Sequence, residues 1–121
     1  MIGVNYMKGG ERAVENEKKK MVYISGRISG NKNYKKEFRS AEEYLQNQGY
    51  IPINPINNRG NYKELIDRGI KQLMECDAIF VLDNGVVLSK GAMLELNYAR
   101  TVGMEIIFQE GTQTYAKRPW V

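Results

Sequence analysis

From Met21 onward, short apolar runs of strand length alternate with longer amphipathic stretches, and no other feature of the chain narrows its fold as much. Such alternation predicts β-α-β units, and these build a mainly parallel sheet of four or five short strands flanked by helices, the α/β class. At 121 residues the chain has room for one domain with one core.

The spacing predicts a first strand over Met21–Ser25 (MVYIS), closed by the loop Gly26-Arg27-Ile28-Ser29-Gly30-Asn31. A helix follows, its start signalled by Asn31 or Asn33, its apolar positions Tyr34, Phe38, Ala41, Tyr44 and Leu45, and its end Gly49. Tyr50–Ile53 reads as the next strand, stopped by Pro55. Asn61 caps a second helix through Cys76, with Leu65, Ile66, Ile70, Leu73 and Met74 as the buried stripe. Gly69 sits in its middle, at a propensity cost of about 1 kcal/mol relative to Ala. Asp77–Asp83 (DAIFVLD) has a continuous apolar centre and reads as a central strand covered on both faces; Asp83-Asn84-Gly85 is a turn. Ser89 caps a third helix running to about Val102, Gly103 takes the C-terminal cap, and Glu105–Gln109 (EIIFQ) is the last strand.

The domain is thus expected over residues 21–109, between two unpatterned segments. Residues 1–20 read as a flexible tail, with Met21 a candidate start of the biological chain. Residues 110–121 read as a C-terminal tail in which Trp120 is a candidate for packing on a neighbour. The first segment carries five basic and three acidic side chains, leaving 13 against 11 in the rest, with no basic cluster longer than Lys35-Lys36. Nucleic acid is therefore not an expected partner, because a duplex selects a one-sided stripe of Lys and Arg. With no His and a single Cys, Cys76, the chain has no internal disulfide and no Ser-His or Cys-His nucleophile pair, and most zinc sites are excluded. If the chain is an enzyme, its chemistry is expected to run on carboxylates and hydroxyls, and none of it calls for a metal or cofactor. No apolar run approaches the roughly 18 residues of a membrane span, and the start lacks a secretory signal, so the cytoplasm is the expected compartment.

On the third helix, Ala92, Leu96, Ala99, Val102 and Gly103 fall within one arc, and Glu95 falls inside it. An inward carboxylate must be hydrogen-bonded or face a ligand cavity, since burying it alone costs several kcal/mol. Two readings stand level: a structural acid satisfied by a backbone amide or Arg100, and a functional acid at the carboxyl ends of the strands. Ligands bind there in open parallel sheets, and the 26–30 loop and Ser89 converge on the same place. That loop offers amides, two hydroxyls and a guanidinium ahead of a helix, which suits an anion, although a plain strand-to-helix turn explains it too. Its spacing matches neither a Walker loop nor a dinucleotide fingerprint. Tyr23 either fills core, the preferred reading, or reaches the cavity with its hydroxyl. Asp77 reads as the cap of a strand or turn rather than a chemical group. Met93, Leu94 and Tyr98 lie off the buried arc and suggest a face for another subunit.

Three blocks carry a family resemblance: Tyr23-Ile24-Ser25-Gly26 with Arg27-Ile28-Ser29-Gly30, Cys76-Asp77-Ala78-Ile79-Phe80-Val81-Leu82, and Ser89-Lys90-Gly91-Ala92-Met93-Leu94-Glu95-Leu96-Asn97-Tyr98-Ala99. Over roughly Met21 to Phe108 the chain resembles the nucleoside 2-deoxyribosyltransferase superfamily, nearest in motif to its 2′-deoxynucleoside 5′-phosphate N-hydrolases. The resemblance implies a Rossmann-like (flavodoxin-like) fold and hydrolysis or transfer at the N-glycosidic bond of a (deoxy)nucleoside 5′-monophosphate or deoxynucleoside. It makes Glu95 the nucleophile and Tyr23 its catalytic neighbour. It makes Ser25, Gly26, Arg27, Ile28, Ser29 and Gly30, with Ser89 and Gly91, the substrate-binding set. Ser89 matches the phosphate-specific hydrolases, whereas the transferases carry Asp there. Arg27 and Ser29 stand where the hydrolases have Ser and Arg, so phosphate contact is kept by exchanged side chains. The partners implied are a small nucleoside or nucleotide and further copies of the chain, as a homodimer or higher homo-oligomer. One departure matters: Gly69 replaces the family's usual Asp, with Asp67 two residues earlier. It motivates the alternative of a non-catalytic nucleotide-binding or nucleotide-sequestering protein.

Overall fold

The computed structural model describes residues 18–82 and 88–109. The strands Met21–Ser25 (β1), Ile51–Ile53 (β2), Ala78–Val81 (β3) and Glu105–Phe108 (β4) alternate with the helices Tyr34–Asn47 (α1), Tyr62–Met74 (α2) and Lys90–Val102 (α3). A short 3-10 turn, Pro55–Asn57, precedes α2. The sheet order is β2-β1-β3-β4 and every pairing is parallel, the α/β sheet that the alternation predicts and the Rossmann-like class that the resemblance implies. The Asp83-Asn84-Gly85 turn, the 110–121 tail and most of the 1–20 tail lie outside the described residues.

Period-two alternation along β1 divides the core. Val22 and Ile24 face α1, where they pack with Phe38, Ala41, Leu45, Ala78, Phe80 and Leu82. Tyr23 faces the other way, among Leu73, Cys76, Ile79, Val81, Leu96 and Ala99. All four residues of β3 are buried, as its unbroken apolar run predicts for a strand covered on both faces. From β1 the chain passes to β2 on one side and later to β3 and β4 on the other. The crevice of such a sheet opens at the carboxyl ends of β1 and β3.

The helix ends follow their local chemistry. Asn61 and Glu64 form a reciprocal capping box on α2, with Asn61 Oδ1 accepting from Glu64 N–H at 2.9 Å and Glu64 Oε1 from Asn61 N–H at 2.8 Å. Ser89 Oγ accepts from Ala92 N–H at 3.2 Å to cap α3, and Gly103 closes it in the left-handed conformation at φ 76°. Asn33 takes the cap position of α1 without a side-chain bond, while Asn31 Oδ1 accepts from Asn33 N–H and organises the preceding loop. Asp77 Oδ2 accepts from Met21 N–H at 2.8 Å, which caps the start of β1.

Several expected core positions lie outside. Leu65 is 37% exposed and Met74 57%, because the buried face of α2 is centred on Leu73 and Gly69, leaving those two at opposite margins of the arc. The helix also stops at Met74, short of Cys76, and β2 begins at Ile51 rather than Tyr50. Val102, 53% exposed, points along the margin of the arc formed by Ala92, Leu96 and Ala99 but lies in the last turn of α3, beyond the cover those residues receive. Tyr44 is exposed, although its ring meets Phe80 at 5.8 Å between centroids. Of the suggested outer face, Leu94 is exposed but Tyr98 packs against the core around Leu96.

Candidate active site

The strand pleat puts Tyr23 and Ser25 on the face of β1 that α3 covers, and α3 directs Glu95 back at both. Tyr23 Oη donates to Glu95 Oε2 at 2.6 Å, and Ser25 Oγ donates to Glu95 Oε1 at 2.6 Å. These hydroxyls, rather than a backbone amide or Arg100, satisfy the carboxylate, and Arg100 is exposed. Burial raises the pKa of Glu95 above the ordinary carboxylate value, while the hydrogen bonds from Ser25 and Tyr23 pull against that rise. The Tyr23 hydroxyl is held in its neutral form, chiefly by burial and then by the negative charge of Glu95. Tyr23 therefore meets both of its expectations at once, at 1% exposure within the core and with its hydroxyl on the carboxylate.

Glu95 forms part of the wall of a cavity of about 380 Å³, within the range of roughly 300–1,000 Å³ usual for small-molecule sites. Gly26, Arg27, Ile28 and Ser29 line it from the loop after β1, and Ser89, Lys90 and Gly91 line it from the start of α3. The expected binding set is thus largely brought together. Two members are not on the wall: Ser25 is buried behind Glu95, and Gly30 serves the turn itself at φ 75°. Gly26 is required by contact, since a β-carbon there would lie 2.9 Å from Leu82 Cδ1 and 3.3 Å from Phe38 Cζ.

Two cationic side chains, Arg27 and Lys90, share the cavity with the N-terminus of α3, whose amides favour negative charge. Arg27 Nε is buried and has no hydrogen-bond partner among the described residues. A buried guanidinium N–H left in that state is ready for an incoming oxyanion. Lys90 was not singled out by sequence reasoning, although its place beside the capping Ser89 was a usable signal. The rest of the wall, including Tyr34, Phe38, Ile56, Tyr62 and Ile66, is apolar or aromatic, and a hydrophobic pattern does not tell a core side chain from one facing a cavity.

Gly69 of α2 lies directly against the dyad: a β-carbon there would be 2.7 Å from Tyr23 Oη and 2.9 Å from Glu95 Oε2. Asp67 is turned away, paired with Lys63 at 2.6 Å on the exposed side of α2. Among the described residues no three His, Cys, Asp or Glu side chains are grouped as a metal ion requires, and no helix is long and apolar enough to cross a membrane.

A family model described as "Domain of unknown function (DUF4406)" matches residues 20–108. No curated protein matches the chain. Among solved structures it is similar to a 2-desoxiribosyltransferase from Leishmania mexicana, with a TM-score of 0.61 and 20% identity over 74% of this chain and 63% of that one. It is also similar to the CMP N-glycosidase BcmB of Clostridium botulinum, with a TM-score of 0.50 and 22% identity over 82% of this chain and 78% of that one. The chain thus spans less than two thirds of the length of the Leishmania enzyme. At these identities what is shared is the fold, the parallel α/β architecture that the resemblance implies.

Proposed function

The chain belongs to the DUF4406 domain family, and from that premise and the geometry above we propose that it acts on the N-glycosidic bond of a nucleoside 5′-monophosphate or deoxynucleoside, with Glu95 as nucleophile. The observation that carries this reading is the Glu95 carboxylate, fixed by one hydroxyl on each oxygen and set in the wall of a nucleotide-sized cavity. The two fold neighbours, a deoxyribosyltransferase and a CMP N-glycosidase, act on substrates of this kind.

One oxygen of Glu95 attacks the anomeric carbon as the bond to the base breaks, and the bonding pair leaves with the base, which takes up a proton. The resulting glycosyl ester is resolved by water or a second base, as in retaining glycosidases. Each carboxylate oxygen keeps a lone pair beyond the one that Tyr23 or Ser25 engages, so the two hydroxyls orient the nucleophile without blocking it. The start of α3 with Ser89, together with Arg27, Ser29 and Lys90, receives the 5′-phosphate. The protein works in the cytoplasm as a homodimer or higher homo-oligomer, with residues 21–109 as the functional domain.

Gly69 beside the dyad, with Asp67 turned to Lys63, favours a second reading in which the same cavity binds a nucleotide without turnover. One experiment separates the two. The protein and its Glu95→Ala variant are incubated with ribo- and deoxyribonucleoside monophosphates and the parent nucleosides, and free base is followed chromatographically. Base released by the wild type alone is the expected outcome. A nucleotide bound and recovered intact selects the second reading.

A further inference from the structure

A glycine inside a helix costs about 1 kcal/mol relative to alanine, so one that is buried at mid-helix calls for a local reason. Gly69 has no positive φ to accommodate; the positive-φ glycines among the described residues are Gly30, Gly49, Gly60 and Gly103. What it has is proximity to the two atoms of the Tyr23–Glu95 hydrogen bond. We infer that Gly69 is a positioning residue: its bare α-carbon provides the room in which the Glu95 carboxylate meets the Tyr23 hydroxyl. The inference rests on Glu95 being the working carboxylate of the cavity.

The two neighbours of an added β-carbon are not equally free to retreat. The Tyr23 ring is locked in the core on a central strand, packed with Leu73, Ile79 and Leu96. Glu95 reaches the site on a flexible side chain from α3, with open cavity on one side. A methyl group at position 69 therefore displaces the carboxylate rather than the phenol, and the hydrogen bond at Oε2 is lost while Ser25 retains Oε1. Losing a donor to the charged form makes Glu95 harder to ionise. Tyr23 from β1 is the titratable group in contact with it; Arg27 from the loop and Lys90 from α3 line the same cavity, and the α2 residues on this side, Ile66, Gly69 and Leu73, are uncharged, Asp67 being paired with Lys63 on the exposed face.

The test is a double-mutant cycle of Gly69→Ala and Tyr23→Phe, read by NMR titration of carboxyl-labelled glutamate, with the Glu95 signal assigned by its loss in Glu95→Gln. Each single variant is expected to raise the Glu95 midpoint and to lower base release by about tenfold or more. The double variant is expected to match Tyr23→Phe alone, because the hydrogen bond that the methyl group breaks is already absent and the carboxylate can yield into the space the hydroxyl leaves. An unshifted midpoint in Gly69→Ala overturns the inference, as do fully additive effects in the double variant. If Gly69→Ala alone does not fold, the double variant decides: folding and titrating like Tyr23→Phe supports the inference, and failing to fold overturns it. A wild type that releases no base removes the glycosidase reading, while the titration still decides the role of Gly69 independently.

Discussion

The surroundings of Glu95 disfavour its charged form, and that has a measurable consequence for stability. Its pKa is raised in the folded state, chiefly by burial, so between the ordinary carboxylate value and the raised one the native protein binds the proton more tightly than the unfolded chain. The contribution is favourable below that window, where both states are protonated, and is lost as pH rises through the folded value. Glu95→Gln keeps the shape, and the Tyr23 and Ser25 hydroxyls can reorient toward an amide, so it removes the ionisation penalty alone. We expect this variant to melt above the wild type at pH 8, with the gain vanishing as pH falls below the ordinary carboxylate value, while base release is abolished. Equal melting temperatures at pH 8 would contradict the argument. Arg27 raises a different question, since its buried Nε lacks a partner among the described residues. A charge-assisted hydrogen bond contributes about 1.5–3 kcal/mol, so Arg27→Ala is expected to reduce the preference for a monophosphate over its nucleoside by about 10–100-fold in titration calorimetry. An unchanged preference would remove Arg27 from the phosphate site.

Helix α3 carries two functions on one turn, because the hydroxyl that caps it also borders the cavity. Ser89→Ala is expected to lower unfolding stability by about 1 kcal/mol in denaturant titration, and Ser89→Gly by a few tenths. If Ser89 also meets the phosphate, the two variants should lose affinity for a monophosphate equally, which separates binding from capping. The caps at Asn61, Ser89 and Gly103 and the four strands were legible because each rests on short-range chemistry: a side chain reaching an amide two or three residues on, a glycine in the left-handed region, an unbroken apolar run. Which margin of a stripe is covered was not legible. Periodicity gives the direction of Leu65, Met74 and Val102 but not how far a neighbouring element extends over them. In the same way Glu95 was readable as an inward acid, and the common face of Tyr23 and Ser25 follows from the strand pleat. Their meeting depends on α3 crossing the face of β1, which the sheet order decides and local pattern does not contain.

The cavity is walled by every layer of the molecule: Tyr34 and Phe38 from α1, the loop after β1, Ile66 from α2 and the first turn of α3. A ligand seated there bridges helices on opposite faces of the sheet at its carboxyl edge, and binding energy becomes folding energy because the unfolded chain has no such site. At a concentration a hundredfold above its dissociation constant, a ligand adds about 2.7 kcal/mol to the stability of the native state. For a domain of this size that is about 10–20 °C in melting temperature, large enough to rank a nucleotide panel. Arg27, Lys90 and the N-terminus of α3 give the cavity a positive end, so at low salt a 5′-monophosphate should raise the melting temperature more than its nucleoside at equal concentration. Added salt should narrow that gap, since ions screen the contribution of charges that remain open to water, while the part due to the base and sugar, held by apolar and aromatic walls, should persist. Equal shifts for nucleoside and monophosphate at low salt would mean that the positive end does not read a phosphate. The substrate class would then have to be sought among unphosphorylated nucleosides.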